Sequence, residues 1–342
     1  MDGLVFLGDR QVALEQFDDP APQAGEVVIE VRASGMCGTD LHRYRAPRPT
    51  ATPPPPRLIA GHEPAGVVAA VGEGVSPLLA KPGDRVMVHH YYACANCGRC
   101  RAGWPQSCAN VTPTVYGGTT HGSHARYLTV PAATALPLPD ELSFAAGAAL
   151  ACGTGTAWSG LLRLELTGRD TIAVFGQGAV GISATMLAAA QGARVIALDI
   201  SAERLARARE FGAAETVNPA EVDAVEAIRD LTGSGATAAL ETSGSTAAAG
   251  QALRCLDVWG RACFVGIGAR VAFDVQPFLR KQVTITTSWA MSSVGQRECA
   301  DFVIARGLDL DPLFTHRWTL ADAAEAYAEF DRQAAGKGVF EF

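Results

Sequence analysis

The sequence predicts a two-domain α/β protein: a β-rich first lobe, then a doubly wound lobe built on a parallel sheet. Three observations predict it. The chain has 342 residues, more than the roughly 100–200 of one ordinary domain. Short apolar strands bounded by glycine and proline fill the first third. From about Leu150 strands alternate with helices, which is the texture of crossover connections over a parallel sheet.

Taken in order, Glu26 to Ala33 reads as a strand with partial alternation, and Ala65 to Val71 and Arg85 to Val88 as short apolar strands. Pro53 to Pro56 reads as a rigid surface loop, because a proline run extends and cannot pair in a sheet. Thr171 to Phe175 reads as a short buried strand, followed by glycines and a small-residue helix from Val180 to Gln191. A strand at Arg194 to Leu198 and a helix at Ala202 to Phe211 repeat the unit, and further pieces run through Leu240 and Ala262 to Val265. The tail from about Thr287 holds helical stretches near Glu298 to Ala305 and Ala321 to Gln333, and ends in Gly338 to Phe342. The expected division is residues 1–150, residues 151–288, and a return to the first lobe over residues 289–342. No internal repeat or low-complexity linker interrupts it.

Hydrophobic residues make up 48% and charged residues 18%, which excludes a disordered chain. The net charge is −7 and offers no basic field for a phosphate backbone, so nucleic acid is excluded as a partner. No segment supplies the roughly 18–20 unbroken apolar residues of a membrane span, so no membrane partner is expected either. The start, Met1 to Phe6, lacks a basic region followed by a long apolar run, so a cytoplasmic, reducing setting is expected. There, nine cysteines are more often ligands or core residues than disulfides.

Gly176-Gln177-Gly178-Ala179-Val180-Gly181 fits G-x-G-x-x-G between a strand and a helix. The first glycine permits the tight turn, the second lets backbone approach a pyrophosphate, and the third lets the helix pack on the strand. Free N–H groups at the helix start then face the phosphates. Asp199 ends the next strand, 18 residues after Gly181, where a carboxylate accepts ribose hydroxyls and repels a 2′-phosphate. NAD is therefore favoured over NADP.

Cys94, Cys97, Cys100 and Cys108 lie within 15 residues, with Gly98 and Gly103 as expected tight turns. Four thiolates suit a closed, structural Zn²⁺ site; two disulfides or a plain cysteine-rich loop are the alternatives. Three further blocks carry isolated candidates: Cys37 in Gly35-Met36-Cys37-Gly38-Thr39-Asp40-Leu41-His42, His62 in Gly61-His62-Glu63-Pro64, and Cys152 in Ala151-Cys152-Gly153-Thr154-Gly155-Thr156.

The ordered set of blocks resembles the zinc-dependent medium-chain alcohol dehydrogenases over essentially the full chain. The resemblance implies a GroES-like first domain carrying two zincs per chain and a Rossmann nucleotide-binding domain. It implies that Cys37, His62 and Cys152 hold a catalytic zinc with one open position, and that Asp40 orients the ligand histidine. Glu63 lies beside the metal with its role open. Thr39 contacts the substrate oxygen, and His42 ends a proton relay from that hydroxyl to solvent. Thr156 and Val180 pack on the nicotinamide, and Arg204 lies near the adenine. The implied reaction is reversible NAD-linked oxidation of a small-molecule alcohol, secondary or polyol, in which zinc lowers the pKa of the bound oxygen. A homo-oligomer, tetramer or dimer, is implied as well.

Two other readings stand beside it. A double-bond (quinone or enoyl) reductase of the same superfamily generally lacks these zinc ligands. A non-catalytic binding protein would not need the Thr39 and His42 pair. The sequence also departs from the family's Asp-Gly-Gly-Phe-Ala-Glu-Tyr, which here reads His121-Gly122-Ser123-His124-Ala125-Arg126-Tyr127. The extra histidines and Arg126 are expected to line the pocket, meet a neighbouring subunit, or stand as polar surface residues. Gly38 replaces the family's pyrophosphate-binding arginine. His89 and His90 are expected to be structural, and Cys255, Cys263 and Cys299 to be buried. Lys337 is expected to hold the chain end or the cofactor. Pocket-lining side chains are expected around Tyr44, Trp104, Tyr116 and Trp289.

Overall fold

The strand Glu26–Gly35 explains why alternation was only partial: it is buried along almost its whole length. It sits at the hub of a seven-stranded sheet and pairs antiparallel with Glu63–Val71, Tyr127–Pro131 and Lys337–Glu341. Both faces are covered, so apolar residues occupy both. Val27, Ile29, Val31, Val68, Val86 and Val88 form the core beneath it, each buried side chain contributing about 1.5–3 kcal/mol. The structure, a computed structural model, describes residues 1–51, 56–332 and 336–342. Pro53 to Pro55 of the expected proline loop, and Gln333 at the end of the expected last helix, lie outside the described residues.

The chain forms two compact units. The first gathers Met1–Cys152 with residues 292–332 and Lys337–Phe342. A hairpin of Asp2–Gly8 and Gln11–Gln16 opens it. Asp9 and Arg10 turn it at φ 51° and 58°, which is why no Asn-Gly signal marked it. Leu4, Met36, Leu41, Tyr44, Tyr327 and Phe340 form a second core cluster of this unit. They tie the N-terminal strand, the helix Gly38–Arg45, the helix Ala323–Asp331 and the last strand together.

The second unit holds Gly153–Met291. Its six strands run in the order Glu215–Val217, Arg194–Leu198, Thr171–Phe175, Ala236–Glu241, Leu256–Phe264, Thr284–Thr287. All neighbours are parallel. The order reverses between Thr171–Phe175 and Ala236–Glu241, the position where doubly wound sheets bind ligands at strand carboxyl ends. The strand expected at Ala262 to Val265 begins earlier, at Leu256, across an irregularity where Trp259 takes φ 59°. Among the described residues no helix is long and apolar enough to cross a membrane.

Candidate active site

Cys37 leaves the hub strand and caps the helix Gly38–Arg45. A thiol there faces the positive end of the helix, which favours thiolate. Three residues on, Asp40 folds back: Oδ2 accepts the Cys37 N–H at 2.9 Å, and Oδ1 lies 3.2 Å from His62 Nδ1. One carboxylate thus fixes two candidate ligands, and leaves His62 Nε2 free to coordinate. His62 stands just before the strand Glu63–Val71, after Gly61 in the left-handed region at φ 89°. Cys152 follows the helix Phe144–Leu150, with its Sγ 4.0 Å from Cys37 Sγ. His90 secures that turn: its Nδ1 lies 2.7 Å from the Ala151 carbonyl. Burial pushes its pKa well down, so it is a neutral donor to that carbonyl.

One ligand atom from each of Cys37, His62, Glu63 and Cys152 lies within 4.8 Å of the others. Two sulfurs, one imidazole and one carboxylate converging in a buried setting are a donor set that fits a zinc-type divalent cation. Glu63 adds a sharper observation. It is fully buried, Oε2 is 2.5 Å from Lys337 Nζ, and Oε1 has no hydrogen-bond partner. Burial lifts the Glu63 pKa to about 7, with Lys337 opposing. Lys337, itself buried, also donates to the Met36 carbonyl at 2.9 Å. The expectation that Lys337 holds the chain end is met in this form.

The protonation pattern follows from proximity. Cys152 donates toward Cys37 and, with His62, holds the Cys37 thiol well below its ordinary value against burial. The same bond raises Cys152. Burial opposes charge on His62, but Asp40 and Cys37 outweigh it and hold the imidazole well above its usual pKa. A divalent cation would replace these shared protons, as ligation generally does.

Thr39 Oγ1 lies 3.7 Å from Cys37 Sγ and is exposed. His42 is exposed three residues along the same helix, and among the described residues no hydrogen bond joins the two. Tyr44 and Tyr116 belong to the cores rather than a pocket, at 4% and 1% exposure; Trp289 is exposed and Trp104 half-buried.

The four-cysteine loop also converges, its sulfurs within 4.8 Å of one another and all free of disulfides. Its thiols receive backbone N–H groups: Cys97 N to Cys94 Sγ at 3.4 Å, Cys100 N to Cys97 Sγ at 3.5 Å, and Asn110 N to Cys108 Sγ at 3.4 Å. Such bonds hold Cys108 down at about 6. Of the two expected turns, Gly103 takes φ 83°, whereas Gly98 opens the short helix Gly98–Arg101 and the other left-handed residue is Ala95. The geometry brings the four sulfurs together without a disulfide, an arrangement that fits a metal ion, while burial pushes the Cys100 thiol up to about 12.

In the second unit Gly176 takes φ 85°, and Gly178 caps the helix Ala179–Ala190. A Cβ on Gly181 would fall 1.7 Å from the Gly176 carbonyl oxygen, so only glycine fits. Asp199 Oδ2 accepts the Gln177 N–H at 2.7 Å, and Oδ1 accepts the Ser201 N–H at 2.9 Å. Arg204 approaches the same carboxylate at 3.7 Å. Val180 is half-buried on that helix, and Thr156 is buried on Gly153–Arg163.

Of the histidines in the departing segment, His121 stands as an exposed polar residue, one of the expected alternatives, and His124 does not. His124 is fully buried and lines neither a pocket nor an exposed surface. His121 is exposed and accepts the Ile59 N–H at 3.2 Å. Arg126 is exposed and pairs with Glu30. His89 and His90 are buried and hydrogen-bonded, as structural residues are. Cys255, Cys263 and Cys299 are buried as expected.

Comparison with known proteins adds the family. An alcohol dehydrogenase GroES-like domain matches residues 23–140, and a zinc-binding dehydrogenase domain matches residues 179–306. An uncharacterized zinc-type alcohol dehydrogenase-like protein of Escherichia coli (strain K12) is 37% identical over 98% of this chain and 97% of its own. The chain belongs to the zinc-dependent medium-chain alcohol dehydrogenase family. Other members share it end to end. The L-threonine 3-dehydrogenase of Pseudoalteromonas translucida (strain TAC 125) is 31% identical over 94% of this dehydrogenase and 93% of its own chain. Alcohol dehydrogenase TADH from Thermus sp. ATN1 superposes with a TM-score of 0.89 at 30% identity, covering 100% of this chain and 99% of that one. The first unit is GroES-like and the second a Rossmann domain.

Proposed function

We propose that this dehydrogenase oxidises an alcohol, secondary or polyol, to a carbonyl compound with NAD, and runs the reverse. The observation that carries the proposal is the convergence of Cys37, His62 and Cys152, from three distant stretches of chain, on one buried point beside an unpartnered carboxylate oxygen. These three residues would hold zinc, and Glu63 Oε1 is available as a further donor. Bound zinc would supply a Lewis acid toward an alcohol or carbonyl oxygen, and bound NAD would supply the hydride acceptor.

The chain's own groups do the rest. Asp40 orients His62 and seats Cys37. Lys337, buried with Glu63, balances its charge. Thr39 offers its hydroxyl to the substrate oxygen beside the ligand thiol, and His42, exposed on the same helix, would exchange protons with water, a general acid–base task for an imidazole. Gly176, Gly178 and Gly181 shape the turn that receives a pyrophosphate. Asp199, oriented by two backbone N–H groups, would bind the ribose hydroxyls, with Thr156, Val180 and Arg204 as neighbours of the nicotinamide and adenine ends. Cys94, Cys97, Cys100 and Cys108 would hold a structural zinc.

The test is NADH production across primary, secondary, polyol and sugar substrates, before and after zinc removal. Turnover that is lost with zinc and restored by Zn²⁺ is expected; turnover indifferent to zinc would contradict the reading. Asp199→Ala should shift the NAD over NADP preference by roughly 10–100-fold, the weight of one or two hydrogen bonds to a charged group. A wild-type preference for NADP would overturn its role.

A further inference from the structure

Three neighbouring strands of the second unit finish level with one another. Phe175, Glu241 and Phe264 stand side by side in register, where the chain leaves the sheet. This is the carboxyl end of the sheet at its order reversal, where a doubly wound sheet receives its ligand. Glu241, the middle residue of the three, is fully buried, which an acidic side chain rarely is unless its charge is met. Its backbone carbonyl accepts the Val265 N–H at 2.9 Å and the Gly266 N–H at 3.0 Å. Its side chain turns to its own loop. Oε1 accepts the Ser243 N–H at 2.8 Å and the Gly244 N–H at 3.0 Å, and Oε2 lies 3.3 Å from the Gly244 N. Ser243 Oγ accepts the Ser245 N–H at 3.1 Å and donates its own hydrogen to Oε1. Burial pushes the Glu241 carboxyl up, and the bonds from Ser243 and Gly244 oppose that.

The loop so held lies against both neighbours. Thr242 donates its N–H to the Phe175 carbonyl at 2.9 Å, and its Oγ1 lies 3.0 Å from the carbonyls of Phe175 and of Gly176, the first glycine of the G-x-G-x-x-G turn. A Cβ on Gly176 would fall 2.9 Å from Ser243 Cβ, and one on Gly181 would fall 2.9 Å from Thr242 Oγ1. On the other side, a Cβ on Gly266 would fall 2.6 Å from Glu241 Oε2, and Gly244, at φ 70°, has no room for one against the Ile267 carbonyl. The glycine turn, residues 242–245 and the loop after Phe264 are thus in close contact, and the carboxylate sits where they meet.

We propose that Glu241 is a positioning residue for the dinucleotide site: its buried carboxylate holds residues 242–245 between the Gly176 turn and the loop after Phe264, and so sets the crevice before a cofactor arrives. The inference rests on reading Gly176, Gly178 and Gly181 as the turn that receives a pyrophosphate. Without the carboxylate the Ser243 and Gly244 N–H groups lose their acceptor, and the loop is free to leave both neighbours. A loop fixed in advance does not have to be ordered at binding, a cost otherwise taken out of the affinity. Both loops follow strands of the sheet's second half. The effect therefore falls on the nicotinamide half of the dinucleotide and spares the adenosine half beside Asp199.

Calorimetric titration of the full-length protein with NADH and, separately, with adenosine tests this. Adenosine carries the ribose that Asp199 would bind, and neither pyrophosphate nor nicotinamide. Glu241→Gln keeps the shape and one acceptor oxygen but not the charge. It should weaken NADH about tenfold, the weight of charge assistance on the loop's hydrogen bonds, and leave adenosine unchanged. Ser243→Ala removes one donor from an exposed position and should weaken NADH about threefold, the weight of a single neutral hydrogen bond; it decides alone should Glu241→Gln fail to fold. Wild-type NADH affinity in these variants, or adenosine weakened as much as NADH, would overturn the proposal. A wild type that binds neither ligand would overturn instead the reading of the glycine turn beneath it.

Discussion

The two candidate metal sites share a donor chemistry and differ in how the chain builds them. The lobe takes four sulfurs from 15 residues, half-buried, and its thiols are held by N–H groups of the same loop. The centre draws on residues 37, 62, 63 and 152, with His62 and Glu63 buried. Its donors are held by other side chains: Asp40 on His62, Lys337 on Glu63, and His90 on the turn before Cys152. A local loop can close on its ion with little help from the rest of the fold. A distributed centre exists only when the whole unit has folded, and its buried charges must be balanced within the protein, because stranding one partner costs about 3–5 kcal/mol.

The largest effect should fall on the distributed centre. Cys37→Ala or His62→Ala should reduce turnover by at least about a thousandfold, since a Lewis acid is worth several kcal/mol of transition-state stabilisation. Metal analysis should show one zinc lost, with NADH binding retained. Retained turnover would break the comparison at its root. Asp40→Asn sharpens it. The variant keeps an acceptor for Cys37 but loses the carboxylate, and should weaken zinc at the centre about 10–100-fold while the lobe keeps its ion. Competition with a chelator reads both sites.

Cys97→Ser should do the reverse. Its lobe loses zinc and local order, because binding energy in such loops is folding energy. The melting temperature should fall by about 2–4 °C per kcal/mol lost, and the folded fraction should still oxidise substrate. A smaller effect separates the buried body of the unit from the lobe by pH. Burial holds His89 and His124 at about 4, below the ordinary 6.5. Both bind fewer protons folded than unfolded in that window, so their contribution is full above about 6.5 and is lost as pH falls toward 4. It amounts to a few kcal/mol at most. Melting curves should show this loss equally in wild type and Cys97→Ser, and His89→Gln should flatten it.

How much the sequence disclosed follows the same division. Cys94, Cys97, Cys100 and Cys108 announce their site because spacing alone brings them together. Gly176, Gly178 and Gly181 are legible because each glycine answers a local backbone demand. Cys37, His62 and Cys152 are ordinary residues one by one, and only their order beside a resembling family joined them. The buried hydrogen bonds that join Ser123, Ser34, His124 and Tyr327 were out of reach. The His124–Tyr327 bond spans 203 positions, and serines, histidines and tyrosines carry no spacing signal across such a gap. His124 was expected in a pocket or at a surface because a polar residue usually is exposed; its complete hydrogen bonding is what permits burial. The N-terminal hairpin escaped for a smaller reason, a turn made by Asp9 and Arg10 instead of glycine.

The most direct test is a zinc-edge anomalous diffraction map of the metal-loaded crystal. Two peaks per chain are expected. One should lie in the lobe, and the other about 2.3 Å from the sulfurs of Cys37 and Cys152 and about 2.0–2.1 Å from His62 Nε2. A single peak in the lobe, or a second peak that those two sulfurs do not share, would contradict the account.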